Sequence, residues 1–90
     1  MKNEVDSKLV LSVFDTIRKH GKVTEHETFG QAHILDGVKA YSDFDGYTLF
    51  LEDAVVKLSF GFHNTYNFDY ENRKQLEHFE KKLQSIYRQY

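Results

Sequence analysis

Apolar residues recur every three or four positions near the start of the chain, and this spacing predicts an amphipathic helix over residues 5–21. Asp6 stands where a side chain can cap the first turn, and basic residues precede Gly21, where they suit the carbonyl end of a helix. The apolar stripe consists of Leu9, Val10, Val13, Phe14 and Ile17. We expect this helix to bury its stripe against the rest of the fold.

The same spacing returns in the last part of the chain and predicts a second helix over residues 69–90, with Asp69 as its N-terminal cap. Charged residues occupy most positions outside the apolar stripe. The stripe consists of Leu76, Phe79, Leu83, Ile86 and Tyr90. We expect this helix either to close the core or to reach a partner.

Between the helices, over residues 31–62, the apolar period changes to two, which is typical of β-strands. Turn signals divide this segment into a predicted antiparallel meander of three to four strands. The signals are Asp36-Gly37, Asp45-Gly46 and Asp53-Ala54. Residues 22–30 are polar and weakly patterned, so a short strand and a loop both remain open there.

The two later turns predict the same inner face for the sheet. A two-residue turn at Asp45-Gly46 pairs Ala40 with Leu51, and a two-residue turn at Asp53-Ala54 pairs Leu51 with Val56. The residues expected to face the first helix are Ala40, Leu49, Leu51, Val56, Leu58 and Phe60. The predicted fold class is therefore α+β, with the order α-β-β-β(-β)-α and one domain over residues 1–90.

Length and composition limit the class of protein. A chain of 90 residues is the size of one small domain, and it has no Cys, which excludes disulfide frameworks, thiol catalysis and Cys-type zinc sites. No apolar run is long enough for a membrane helix, and Glu4 and Asp6 stand where a signal peptide would be basic and then apolar. We therefore expect a soluble, cytoplasmic protein with no membrane partner.

Charge is unevenly distributed along the chain, although the formal net charge is only -2. Residues 23–63 hold seven acidic and two basic side chains, whereas both flanking segments are mildly basic. An acidic surface repels phosphate, so the sequence disfavours nucleic acid as a partner. Local hydrogen bonding by Asp in turns accounts for part of the acidic excess.

The run Asp43-Phe44-Asp45-Gly46 is similar to the nucleophile motif of haloacid-dehalogenase-type phosphohydrolases, in which the two Asp residues act as nucleophile and acid-base. Here Tyr47 interrupts the motif, and that doubly wound fold is much larger than this chain. The run also lacks the late bidentate Glu of a calcium loop, and the His residues have no chelating spacing. We therefore expect no enzymatic activity, no catalytic residues, no cofactor and no metal site.

Some of the aromatic residues cannot belong to the predicted core. Tyr41 and Phe50 are expected to be cross-strand neighbours on the face opposite Leu51, with Val55 nearby and Lys57 able to lie over Phe50. An apolar patch with charged edges on a small domain is typical of a contact surface. The alternative is that one of the two helices covers this face internally.

A second candidate site lies after the predicted sheet. His63 ends the last predicted strand, and Tyr66 lies in the connection to the second helix, so the two side chains could form the walls of a small pocket. The alternatives are that the backbone satisfies the imidazole and that the tyrosine anchors the connection to the core. This site would suit a small-ligand binder or a modest enzyme.

Three runs carry a resemblance to a known group of proteins: residues 2–14, residues 42–47, and Gly61-Phe62-His63-Asn64. The chain resembles a family of short, single-domain bacterial proteins of unknown function. The resemblance implies a small bacterial cytoplasmic protein and no activity, cofactor or partner. On the residues alone, the expected function is a non-enzymatic module that binds a protein partner or self-associates, with a homodimer as the form of self-association considered.

Overall fold

The computed structural model describes residues 7–44, 46–61 and 65–90, and it places them in two helices and one six-stranded sheet. The helices are α1 (Ser7–His20) and α2 (Arg73–Gln89). The strands are β1 (Lys22–His26), β2 (Gly30–Leu35), β3 (Val38–Ser42), β4 (Thr48–Glu52), β5 (Lys57–Gly61) and β6 (Thr65–Asp69). The predicted α+β class is confirmed, although the sheet has six strands in place of three to four.

Each strand pairs antiparallel with the next one along the chain, so the sheet is a simple meander from β1 to β6. Residues 22–26, where strand and loop remained open, form β1. This edge strand leaves residues of both faces exposed or half-buried, and for that reason its sequence shows no alternation of apolar and polar positions. The predicted cap Asp6 lies outside the described residues.

The predicted start of the second helix is wrong. Residues 65–69 form β6, and Asp69 ends that strand instead of capping a helix. The cap of α2 is Asn72, whose side-chain oxygen accepts a hydrogen bond from the Gln75 backbone N–H at 3.0 Å. Tyr66 and Phe68 follow the strand period of two, and the helical spacing begins only with Leu76.

The Asp36-Gly37 turn has the geometry that the sequence predicts, and the β3–β4 hairpin has the predicted register. Asp36 and Gly37 both have positive φ, 52° and 81°, as the two central residues of a hairpin turn of type I′ require. The β3–β4 hairpin pairs Ala40 with Leu51 and Tyr41 with Phe50, which confirms the predicted register.

The predicted register of the β4–β5 hairpin is wrong by two residues. Leu51 pairs with Leu58 and not with Val56, because the connection spans residues 53–56. The Asp53 carboxylate accepts hydrogen bonds from the backbone N–H groups of Val55 and Val56, at 2.9 and 2.8 Å, and these bonds stabilise the longer turn. A shift of two keeps every side chain on its predicted face, so the predicted core is preserved.

Both helices pack against the same face of the sheet, which we call the inner face. Their apolar stripes and the inner side chains of the strands form one buried cluster. Its members are Leu9, Val10, Val13, Phe14, Ile17, Val38, Ala40, Leu51, Val56, Leu58, Phe60, Leu76, Phe79, Leu83 and Ile86, with Leu49 partly buried beside them. Of the described elements, therefore, neither helix covers the opposite face, and the helix-covered alternative is wrong.

An ion pair joins α2 to the β4–β5 turn. Lys82 Nζ lies 3.1 Å from Asp53 Oδ2, and the Asp53 side chain is only 4% exposed. Burial alone would raise the pKa of this carboxyl, but the N–H groups of Val55 and Val56 and the Lys82 ammonium outweigh it and lower the pKa below its usual value.

Neither described helix is long and apolar enough to span a membrane.

Candidate functional site on the outer face of the sheet

The face opposite the helices, which we call the outer face, carries two rows of side chains that run across the strands. Antiparallel partners project to the same side of a sheet, so the register assigns each row. One row contains Tyr41, Phe50, Ser59 and Asn67, and the next contains Lys39, Glu52, Lys57 and Asp69. The first row is aromatic at its β3–β4 end, and the second alternates between basic and acidic residues.

Five rings gather at one end of the outer face, and we call them the outer cluster: His26, Phe29, Tyr41, Phe44 and Phe50. Tyr41 stacks on Phe50 with 4.9 Å between ring centroids, as expected for cross-strand neighbours. The His26 ring lies 4.1 Å from that of Tyr41, and Phe29 stacks at 5.6 Å on Phe50. Phe44 meets Phe29 edge to face at 5.1 Å.

Small residues on β2 allow the β1–β2 turn to fold over the outer face. The register places Gly30 and Ala32 on the outer side of β2, between the strand of His26 and the strand of Tyr41. Ala32 is fully buried although it lies outside the helix-packed core, so the turn and the rings cover it. Hydrogen bonds from the Thr28 and Phe29 backbone N–H groups to His26 Nδ1, at 3.1 and 3.3 Å, hold the turn in this position.

Exposure is distributed unevenly within the outer cluster. Tyr41 is only 3% exposed and Phe50 is half-buried, because the rings of the β1–β2 turn lie on them. Phe44, by contrast, is 78% exposed at the edge of the cluster. The candidate residues Tyr41 and Phe50 therefore support the outer face, and Phe44 is the ring that a second molecule can reach.

Tyr41 also links the outer cluster to the charged row. Its hydroxyl donates a hydrogen bond to Glu52 Oε1 at 2.5 Å. Burial raises the pKa of the Tyr41 phenol, and the hydrogen bond to the Glu52 carboxylate and its negative charge raise that pKa further. The phenol consequently stays protonated and keeps donating to Glu52.

A cleft of about 360 Å³, which we call the outer cleft, lies beside the outer cluster. Residues from β1, from the β4–β5 hairpin and from the β6–α2 connection line it. They include His26, Glu52, Val55, Lys57, Asp69, Tyr70 and Glu71. Two of the four candidate face residues, Val55 and Lys57, thus line the cleft, whereas Tyr41 and Phe50 lie in the adjoining cluster. Lys57 stands between Glu52 and Asp69 in the register and not over Phe50.

The outer cleft is acidic. Four acidic residues, Glu52, Asp53, Asp69 and Glu71, line it together with one basic residue, Lys57. Lys82 pairs with Asp53, and the ion pairs found between described residues, Lys82–Asp53 and Lys19–Asp15, leave Glu52, Asp69 and Glu71 outside any ion pair. The cleft therefore favours a cationic occupant over an anionic one.

The alternative candidate site is not assembled as predicted in the described part of the chain. His63 lies outside the described residues. Tyr66 projects to the inner face, where its ring lies 5.1 Å from that of Phe60 and packs against the helix-covered core. Tyr66 therefore anchors β6 to the core, and it does not line the outer cleft.

The acidic turn before β4 has a structural role. One carboxylate oxygen of Asp43 accepts hydrogen bonds from the backbone N–H groups of Gly46, Tyr47 and Thr48, at 2.7, 3.0 and 3.3 Å. Asp45, the second member of the phosphohydrolase-like motif, lies outside the described residues. Within the described residues, no group of three His, Asp or Glu side chains is arranged to hold a metal ion.

Sequence reasoning missed several residues of this surface. His26 and Phe29 belong to the segment that showed no periodicity, and Asp69 and Tyr70 were assigned to a helix. The spacing of Tyr66 and Phe68, with period two, was the available signal that a strand precedes the helix.

Comparison with known proteins gives a family and no function. A family model described as "Protein of unknown function (DUF3081)" matches residues 5–90. Searches of curated proteins and of solved structures found no match.

Proposed function

This chain belongs to the DUF3081 family of proteins of unknown function, and we propose that it is a non-enzymatic protein-interaction module whose contact surface is the outer face of the sheet. The observation that supports this most strongly is the placement of both helices on the inner face. From the sequence we keep the expectation of a cytoplasmic, bacterial protein as part of the proposal. The small-ligand alternative stays a prediction, because His63 lies outside the described residues.

The composition of the outer face supports a protein partner. Interfaces typically combine buried aromatic anchors with a polar rim. Here Phe44, Val55 and Tyr70 are exposed apolar or aromatic side chains, and the charged row lies between them. Such a surface offers both apolar area and oriented charge to another polypeptide.

The outer face is also rigid, which favours specific binding. Tyr41 is held by stacked rings and by its bond to Glu52, and the β1–β2 turn is held by two hydrogen bonds to His26. A surface that is ordered before it binds loses less conformational entropy on association. The buried rings therefore set the shape of the face, and the exposed residues around them make the contacts.

Paired surface variants test the proposal. Phe44→Ser and Tyr70→Ser remove exposed rings from the outer face, whereas Leu11→Ser and Tyr87→Ser remove exposed large side chains from the helices. Affinity capture from cells measures the binding of partners, and light scattering of the purified chain measures self-association. We expect the outer-face pair to lose the association and the helix pair to keep it. The opposite pattern would overturn the proposal.

A further inference from the structure

We propose that the occupant of the outer cleft is an arginine-bearing basic segment of a partner protein, an inference that rests on the proposed function and names the partner of that same surface. The argument rests on the cleft, on its three carboxylates that lie outside any described ion pair, and on the aromatic rings in its lining. A second copy of this chain and an acidic partner are the competing occupants.

The charges of the cleft select a cation. Four acidic residues, Glu52, Asp53, Asp69 and Glu71, line the space together with Lys57, and Asp53 is already paired with Lys82. In the described part of the chain, the Tyr41 hydroxyl bonds to Oε1 of Glu52, which leaves Oε2 for another donor. A basic side chain that enters the cleft would thus meet a carboxylate that is already held in position.

The aromatic walls favour a guanidinium group among the possible cations. Tyr70 lines the cleft and is 44% exposed, and His26 is also a lining residue. A guanidinium is planar, stacks flat on aromatic faces and can bond a carboxylate with two parallel N–H groups, whereas an ammonium is a compact charge without this planar fork. The combination of ring and carboxylate is therefore better matched to arginine than to lysine.

A partner segment suits the cleft better than a folded surface does. The cleft lies along the charged row, and it is bordered by the β4–β5 turn and the β6–α2 connection. A single chain can place its side chains between these two borders, whereas a flat domain surface would contact the borders alone. The basic residues at the end of α1, namely Arg18, Lys19 and His20, are the groups that a second copy would offer instead.

Peptide titrations followed by NMR of the full-length chain test this inference. The probes are a short blocked peptide of alternating arginine and glycine and an otherwise identical peptide with glutamate in place of arginine. The variant Asp69→Asn/Glu71→Gln removes two cleft charges, and Asp15→Asn/Glu77→Gln removes two charges from the helices as a matched control. The affinity of each variant is measured at low salt and at physiological salt.

We expect the arginine peptide to shift resonances of the cleft residues and the glutamate peptide to leave them unchanged. The cleft variant should weaken binding about tenfold, because two charge pairs are lost, and the control should change it less than about twofold. Equal binding of both peptides, or equal loss in both variants, would overturn the inference.

Light scattering separates failure of this inference from failure of the proposed function. If the chain self-associates and the cleft variant abolishes that association, a second copy of the chain occupies the cleft. This result would overturn the inference of an arginine-bearing partner segment, but it would support the proposed interaction function. If neither light scattering nor affinity capture detects any association through the outer face, both this inference and the proposed function are overturned. An arginine response confined to the cleft, in a chain that stays monomeric, supports both.

Discussion

The His26 ring lies 4.1 Å from the Tyr41 ring, although β2 separates the strands that carry them. This contact exists because the outer residues of β2 nearest the β1–β2 turn are the small Gly30 and Ala32, with Ile34 farther along the strand, so the turn can lean across β2. Ala32 is the buried point beneath the crossing. The shape of the outer face therefore depends on Gly30 and Ala32, two small residues without polar or reactive side-chain groups.

Replacing Ala32 with Leu should destabilise the protein by about 1–3 kcal/mol, because the larger side chain would push the rings off β2. Urea unfolding followed by circular dichroism measures this change. Gln31→Leu, at the exposed neighbouring position, is the control and should change stability by less than about 0.5 kcal/mol. Equal stability of the two variants would show that nothing packs over Ala32.

Replacing His26 with Ala should release the β1–β2 turn, because the Thr28 and Phe29 N–H groups lose their acceptor. Amide hydrogen exchange should become faster at Thr28 and Phe29 and stay unchanged in α2. His78→Ala, which alters an exposed histidine of α2, should leave the turn protected. Unchanged exchange at Phe29 in the His26 variant would contradict the assigned hydrogen bonds.

The fold was more predictable than the candidate site. The Asp45-Gly46 turn and the period of two determine the β3–β4 register, so Tyr41 and Phe50 were predicted correctly as neighbours. The β4–β5 register failed because the side-chain bonds of Asp53 set the turn length, and residue spacing does not show such bonds.

The outer cleft was beyond prediction for a different reason. It is lined both by His26 on the first strand and by Tyr70 after the last strand, which are far apart in the sequence. Both edge strands had weak signals, since β1 is exposed on both faces and β6 runs directly into the helix connection. Without the edge strands, neither wall of the cleft could be assigned.

Tyr41→Phe should cost about 1.5–3 kcal/mol of stability at neutral pH, because a hydrogen bond to a charged group is lost. The folded state raises the pKa of Tyr41, so the phenol stabilises the protein fully below its unfolded pKa, and that contribution is lost as pH rises above about 10. Alkaline unfolding curves should therefore become flatter in the variant. Tyr87→Phe, at an exposed position, should keep the wild-type alkaline curve.

Asp53→Asn should destabilise the protein by about 1–3 kcal/mol, since it weakens the β4–β5 turn and its bond to Lys82. The lowered pKa of Asp53 means that its contribution is present above the unfolded pKa and is lost as pH falls below about 4. Stability should consequently fall less steeply with acid in the variant.

The exposed pair Asp15–Lys19 provides the control for that prediction. Asp15→Asn should cost no more than about 0.5 kcal/mol, because both side chains of this pair are largely in water. Equal effects of Asp15→Asn and Asp53→Asn would contradict the assignment of the buried pair as the link between α2 and the sheet.

The most direct test of the outer face as the contact surface is site-specific photo-crosslinking in living cells. A photoreactive phenylalanine analogue replaces Phe44 or Tyr70 on the outer face, and Leu11 or Tyr87 on the helices, at positions that are all exposed. We predict covalent adducts of one defined mass from positions 44 and 70, and none from positions 11 and 87. Adducts formed from the helix positions alone would contradict the proposed function.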